Sequence, residues 1–200
     1  MRLWKTLVAI AGATALLGSL ATAASARSLS TSSQTIRVQF REIRFIGLFG
    51  TTNCQVTVEG SFHERTTAKI VGRLVGFISS ARLGPCSSGT ATILTESLPW
   101  HAAYSAFSGT LPNISSITAT SIGVAWRIRE PGGGSNCLSR TTVEHPMTGT
   151  FNRDLATRTL TTSVVGGEIE TDCGIPGTFN SDGGPIRVPV TGALITLTLI

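Results

Sequence analysis

Residues Ile36-Arg37-Val38-Gln39-Phe40-Arg41 place apolar side chains at every second position, and this alternation decides how the chain folds. Side chains on a β-strand point to opposite faces with a period of two. Ile36, Val38 and Phe40 therefore share one face and Arg37, Gln39 and Arg41 the other, the signature of a half-buried strand. The phase flips at Arg41-Glu42, because Ile43 and Phe45 form the next apolar pair, and this predicts a β-bulge or a break into a second strand.

The pattern continues outward. Cys54, Val56, Val58 and Phe62 lie in one phase and Gln55, Thr57 and Glu59 in the other, so Cys54 is expected to point into the core. Further strands are expected at 90–96, 101–107, 116–129, 137–143, 147–151, 159–165, 168–173 and 185–200. Turn signals separate them: Gly84-Pro85, Ser88-Gly89, Leu111-Pro112-Asn113, Pro131-Gly132-Gly133-Gly134, Gly166-Gly167 and Asp182-Gly183-Gly184-Pro185. One segment is ambiguous. Ile70, Val71, Leu74, Val75 and Ile78 fit a helical stripe, which predicts a helical turn over 67–71 and a strand beyond Leu74. Ile195, Leu197 and Leu199 oppose Leu194 and Ile200, the two-sided pattern of a central last strand. Many short strands with little helical periodicity predict an all-β fold, a single antiparallel β-sandwich or barrel-like domain, with the two left open.

Residues 1–26 have the layout of a cleaved signal peptide: Arg2 and Lys5, an apolar stretch from Leu7 to Leu20, then Ala24-Ser25-Ala26. Gly12, Thr14, Gly18 and Ser19 interrupt the apolar stretch, and it falls short of the roughly 20 residues of a spanning helix. Residues 27–33 read as a flexible Ser/Thr-rich leader and 34–200 as the all-β domain, with no transmembrane helix in the mature chain. Of the formal charge of +5, two units belong to Arg2 and Lys5, and the remaining basic residues are scattered. Such a surface gives no support to nucleic-acid binding. The chain has four cysteines, Cys54, Cys86, Cys137 and Cys173. An even number in an exported chain predicts two disulfides, and of three connectivities Cys54 with Cys86 and Cys137 with Cys173 is preferred because each closes a moderate loop. No short C-x-x-C spacing suggests zinc.

Three stretches are candidates for chemistry. Trp100, His101 and Tyr104 concentrate aromatic rings beside a histidine and form the candidate ligand patch, since aromatic faces stack on sugars; packing in the core is the competing reading. Glu168, Glu170 and Asp172 alternate along one strand and would share a face, a candidate calcium or acid/base site, although like charges so spaced also suit a plain solvated face. Asn180-Ser181-Asp182-Gly183-Gly184-Pro185 resembles the nucleophile signature of chymotrypsin-like proteases with serine and aspartate transposed, so it reads as a Gly-rich turn. No catalytic grouping or cofactor motif emerges.

Cys54-Gln55-Val56-Thr57-Val58-Glu59-Gly60-Ser61-Phe62-His63, Leu94-Thr95-Glu96-Ser97-Leu98-Pro99-Trp100-His101, Phe107-Ser108-Gly109-Thr110-Leu111-Pro112 and the closing Leu194-Ile195-Thr196-Leu197-Thr198-Leu199-Ile200 together resemble a family of uncharacterised exported β-proteins from high-GC Gram-positive bacteria. The resemblance implies a small exported β-protein and carries no activity. The expected function is a secreted or cell-surface, non-enzymatic β-domain, structural or interacting with an envelope or glycan component and needing no cofactor. The alternatives are a carbohydrate- or small-ligand-binding module and, third, a hydrolase on acids such as Glu96 and Glu170. With aromatic residues at only 6%, an outer-membrane barrel has little to form its girdles.

Overall fold

The computed structural model describes residues 28–47, 50–110, 113–129, 136–174, 176–181 and 183–200. The signal segment and the Leu111-Pro112 and Pro131-to-Gly134 turn signals lie outside them. The alternating stretch forms strand β2 (Thr35–Gly47), with Ile36, Val38, Phe40, Ile43 and Phe45 all buried. Its partner β3 (Gly50–Phe62) pairs Phe40 with Val56 and Ile43 with Cys54, so Arg41 and Glu42 together oppose Gln55. This is the expected bulge, and it returns Ile43 and Phe45 to the same face as Phe40.

The remaining strands are β1 (Ser28–Thr31), β4 (Thr66–Ala68), β5 (Leu74–Cys86), β6 (Thr90–Ile93), β7 (Trp100–Thr110), β8 (Asn113–Ser121), β9 (Ala125–Arg129) and β10 (Asn136–Arg140). They continue with β11 (Met147–Arg153), β12 (Leu160–Thr171), β13 (Gly177–Ser181), β14 (Gly184–Arg187) and β15 (Leu197–Leu199). Antiparallel pairing runs β2–β3–β5–β7–β8–β11–β12–β13 and returns from β13 to β2. β14 prolongs β13 along the same line, between β12 and β2. The ring closes. The fold is therefore an eight-stranded barrel in which ring neighbours follow one another along the chain, with β4, β6, β9 and β10 as insertions.

The barrel's two ends are finished differently. At the Leu160 end of β12, a small sheet in the order β15–β1–β4 caps the opening with Leu29 and Leu197, and the Leu160 N–H donates to the Ile195 carbonyl. At the other end, β12 outruns β11 and pairs with β10, which carries β9 and β6 as an apron. Val124 and Trp126 bring apolar bulk into that end. Both expected disulfides form: Cys54–Cys86 joins β3 to β5, and Cys137–Cys173 ties the apron to the end of β12. With their cysteines 32 and 36 positions apart, each restricts the unfolded chain by about 4 kcal/mol on the loop-entropy model.

Several expectations need correction. The leader read as too polar to pack supplies β1, because Leu29 finds an apolar cap and the backbone is paired on both sides by β15 and β4. The helical turn expected over 67–71 is instead β4 and a turn at Gly72, with φ of 81°. Ile70, Val71 and Leu74 are exposed, so a helix there would have no face to bury. The expected strand at 116–129 is broken at Gly123, φ 75°, into barrel strand β8 and apron strand β9. Gly166-Gly167 is not a turn: β12 runs on through it, and Gly167 and Glu168 together oppose Thr178 in a bulge, with Glu168 at φ 52°. The last strand is an edge of the cap sheet, not central, although Ile195 and Leu197 are buried.

Two glycines set opposite limits on the wall. A Cβ at Gly60 would clash with the Phe77 carbonyl oxygen, whereas one at Gly149 meets nothing closer than 3.8 Å. Gly60→Ala is expected to destabilise the barrel by about 2 kcal/mol, while Gly149→Ala stabilises it by about 0.5 kcal/mol through the unfolded state. Urea unfolding of the two variants checks this contrast.

Candidate functional site

The inward-facing residues of the ring do not fill it. A cavity of about 130 Å³ lies inside, and all eight strands contribute to its wall. Its origin is a run of small residues on three adjacent strands: Ala102 on β7, Ala119 on β8 and Gly149 on β11, the last two being register partners. Opposite them stand Val38, Val56 and Val58, too short to reach across. An eight-stranded barrel has an interior that side chains can either fill or leave open for one small ligand, and these residues select the second state. Among the described residues, no ionisable side chain lines the cavity.

Aromatic rings shape the apron end. Trp126 meets Phe45 and Phe179 at centroid distances of 5.7 and 5.0 Å, edge-on to the latter. Trp100 forms another part of the wall, and its Nε1–H donates to Ser97 Oγ at 2.8 Å, which in turn donates to the Leu94 carbonyl. Trp126 is as deeply buried, yet its Nε1–H meets no acceptor among the described residues. A second space of about 40 Å³ lies under the cap among Leu29, Phe62, Tyr104, Ile117 and Leu197.

The residues singled out from the sequence are distributed by strand parity. Trp100 and Tyr104 both turn inward, with 6% and 3% of their surfaces exposed, and enter different cavities. His101 turns outward, stacking on His63 at 5.9 Å and lying beside Phe77. The three therefore form no common surface, and neither buried ring offers an open face on which a sugar could stack. Trp100 instead serves the cavity.

Glu168, Glu170 and Asp172 all face solvent, but each meets a different base: His145 at 3.7 Å, Arg140 at 3.8 Å and Arg127 at 3.9 Å. Asp172 Oδ1 also accepts the Leu138 N–H at 2.8 Å. Arg127 and Arg140 belong to the apron strands, so two of these contacts lace the apron to β12. Exposed pairs of this kind each contribute about 0 to 1 kcal/mol. Potential ligand atoms of Cys137, Asp172 and Cys173 cluster within 4.8 Å, but the two sulfurs are bonded to each other and offer no thiolate to a metal. Ser181 is buried, and its Oγ accepts the Val164 N–H at 3.0 Å; its neighbour Asp182 lies outside the described residues. Glu96 sits on a short 3₁₀ turn, Thr95–Ser97, away from the strand that carries Glu170.

No family model, curated protein or solved structure matches the chain, so the resemblance to exported proteins of high-GC Gram-positive bacteria gains no support from known proteins and the geometry alone must carry the functional reading.

Burial raises the pKa of Tyr104 above its ordinary value of 10 because the phenolate would lose its hydration. A raised acid favours the neutral form in the fold, so this contribution to stability is complete below about pH 10 and is lost as pH rises through the folded value. Tyr104 is the single tyrosine, so phenolate absorbance reports it alone. The folded protein is expected to titrate above 10, returning to about 10 in denaturant, and Tyr104→Phe should flatten the alkaline fall in thermal stability.

Proposed function

We propose that this chain is an exported, non-enzymatic binding protein that carries one small, mainly apolar molecule inside its barrel. The observation that carries the reading is the closed ring around an apolar cavity of about 130 Å³. A void of that size, left unfilled, costs about 3 kcal/mol at the rate measured for cavities in protein cores. One methyl or isobutyl group at Gly149 would remove much of that cost, since the backbone there has room for a Cβ and an ordinary φ. Comparable apolar cavities in proteins stay dry and take up benzene-sized molecules. The favoured occupant is therefore an aromatic or alicyclic molecule of about six to ten non-hydrogen atoms. Free glycans fit poorly, because each buried hydroxyl would need a partner the wall does not supply. Export is supported by the signal-like residues 1–26 and by two disulfides, which persist in oxidising surroundings.

The experiment is titration of the mature protein with toluene and indane, following tryptophan fluorescence. Trp100 and Trp126 both line the cavity, and the third tryptophan, Trp4, falls in the signal-like segment, so the signal reports the cavity directly. Saturable one-to-one binding is expected, weakened at least tenfold by Gly149→Leu while that variant's thermal midpoint rises. If binding is absent, or survives a folded Gly149→Leu unchanged, the proposal fails.

A further inference from the structure

Three turns on the cap side of the barrel carry aliphatic residues where turns usually carry polar ones. Ile70 and Val71 precede Gly72 between β4 and β5, Leu155 follows β11, and Val190 lies in the turn beyond β14 that the Gly192 N–H closes by donating to the Val188 carbonyl. Val71, Leu155 and Val190 are 74%, 57% and 92% exposed. β12 and β14 are ring neighbours while β5 stands beyond β2 and β3, so the tips are spread along the rim. Basic residues lie among them. Arg65, Arg73, Arg158 and Arg187 are exposed at this end, and among the described residues none of them forms an ion pair with a carboxylate. The acids on these turns are Glu64 and Asp154, and Asp154 Oδ1 accepts the Ala156 and Thr157 N–H groups of its own turn. Towards the apron end the pattern is different, with Arg44 matched by Glu42, Arg127 by Asp172 and Arg140 by Glu170. Single exposed aliphatic residues are ordinary, but several on one basic end of a molecule mark a surface that meets something.

We infer that the cap end docks on an anionic phospholipid bilayer, with Val71, Leu155 and Val190 entering the headgroup region and Arg65, Arg73, Arg158 and Arg187 meeting lipid phosphates. This does not depend on the cavity being a binding site. The charge selects a negative partner and the tips select a fluid, partly apolar one. A lipid surface takes up separate aliphatic side chains wherever they fall, whereas a rigid polyanion such as a nucleic acid offers them nothing to bury in. Arginine suits the role, because its planar guanidinium forms paired hydrogen bonds to phosphate oxygens. Each basic residue held near an anionic bilayer raises partitioning about fivefold, an effect that fades within a Debye length and is therefore weakened by salt.

The test is co-sedimentation of the mature protein with vesicles of phosphatidylglycerol and phosphatidylcholine in equal parts, compared with phosphatidylcholine alone. Binding to the anionic vesicles is expected, with little to the neutral ones and less as salt is raised. The exposed pair Val71→Ser with Val190→Ser should weaken binding about tenfold, and Arg73→Gln with Arg158→Gln about 30-fold, both without a change in thermal midpoint. Val143→Ser, equally exposed on the apron side, should leave binding unchanged. Insertion has its own readout: the fluorescence of Val190→Trp should shift to the blue with anionic vesicles, and that of Val143→Trp should not. If binding is salt-sensitive but survives the serine pair, and Val190→Trp shows no shift, the end attracts polyanions in general and the lipid assignment is overturned. If the anionic vesicles sediment no protein, it falls outright, while the cavity reading stands or falls on its own ligand titration.

Discussion

The closure of the hydrogen-bonded ring, where β13 and β14 lie against β2, is the constraint on which the rest of the structure depends. Without it β2 on one side and β13 with β14 on the other would be open edges, and the sheet would be free to fold onto itself as a sandwich and press its apolar face shut. Closure removes the ring's edges and fixes the distance between opposite walls through backbone geometry rather than side-chain size. The interior is then set by which residues happen to point inward. Alternation delivers Ile36, Val38 and Phe40 there, and bulges at Arg41-Glu42 and at Gly167-Glu168 keep the apolar phase inward where the sequence slips by one.

A wall held at fixed spacing cannot collapse onto small residues, so Ala102, Ala119 and Gly149 translate directly into free space. In an open core the same residues would draw their neighbours in and the space would shrink. The ends behave as normal cores. Leu29, Ile195 and Leu197 close one, while Trp126, Phe45 and Phe179 pack the other. The apron strands β9, which carries Trp126, and β10 are an insertion between β8 and β11, secured by the Cys137–Cys173 disulfide and by the contacts of Arg127 with Asp172 and Arg140 with Glu170. The acidic run on β12 thus reads best as fastening for that insertion.

Much of the fold was legible in the sequence and much of the site was not, for the same physical reason. Alternation is a local property, so the β2 bulge, the inward Cys54 and the strand-rich architecture could be read directly. Cysteine pairing followed because both bridges join segments close in the chain. The choice between sandwich and barrel depends on one long-range pairing, β13 with β2, which has no local signature. The cavity inherits that difficulty, since Ala102, Ala119 and Gly149 come to line one space only once their strands are known to be neighbours. Trp100 drew notice for the right chemistry and the wrong side of the wall: its even register with Tyr104 pointed inward, opposite to His101. Leu29 was overlooked because a lone leucine among serines packs only against a cap that the distant β15 provides.

The most direct test of a closed barrel with an open apolar interior is a crystal structure of the mature protein determined under xenon pressure, since xenon enters apolar cavities without needing polar partners. A closed ring of eight strands with xenon density between Gly149, Ala119 and Trp100 is expected. A filled interior with no xenon among these residues, or a β2 strand unpaired with β13, would contradict it.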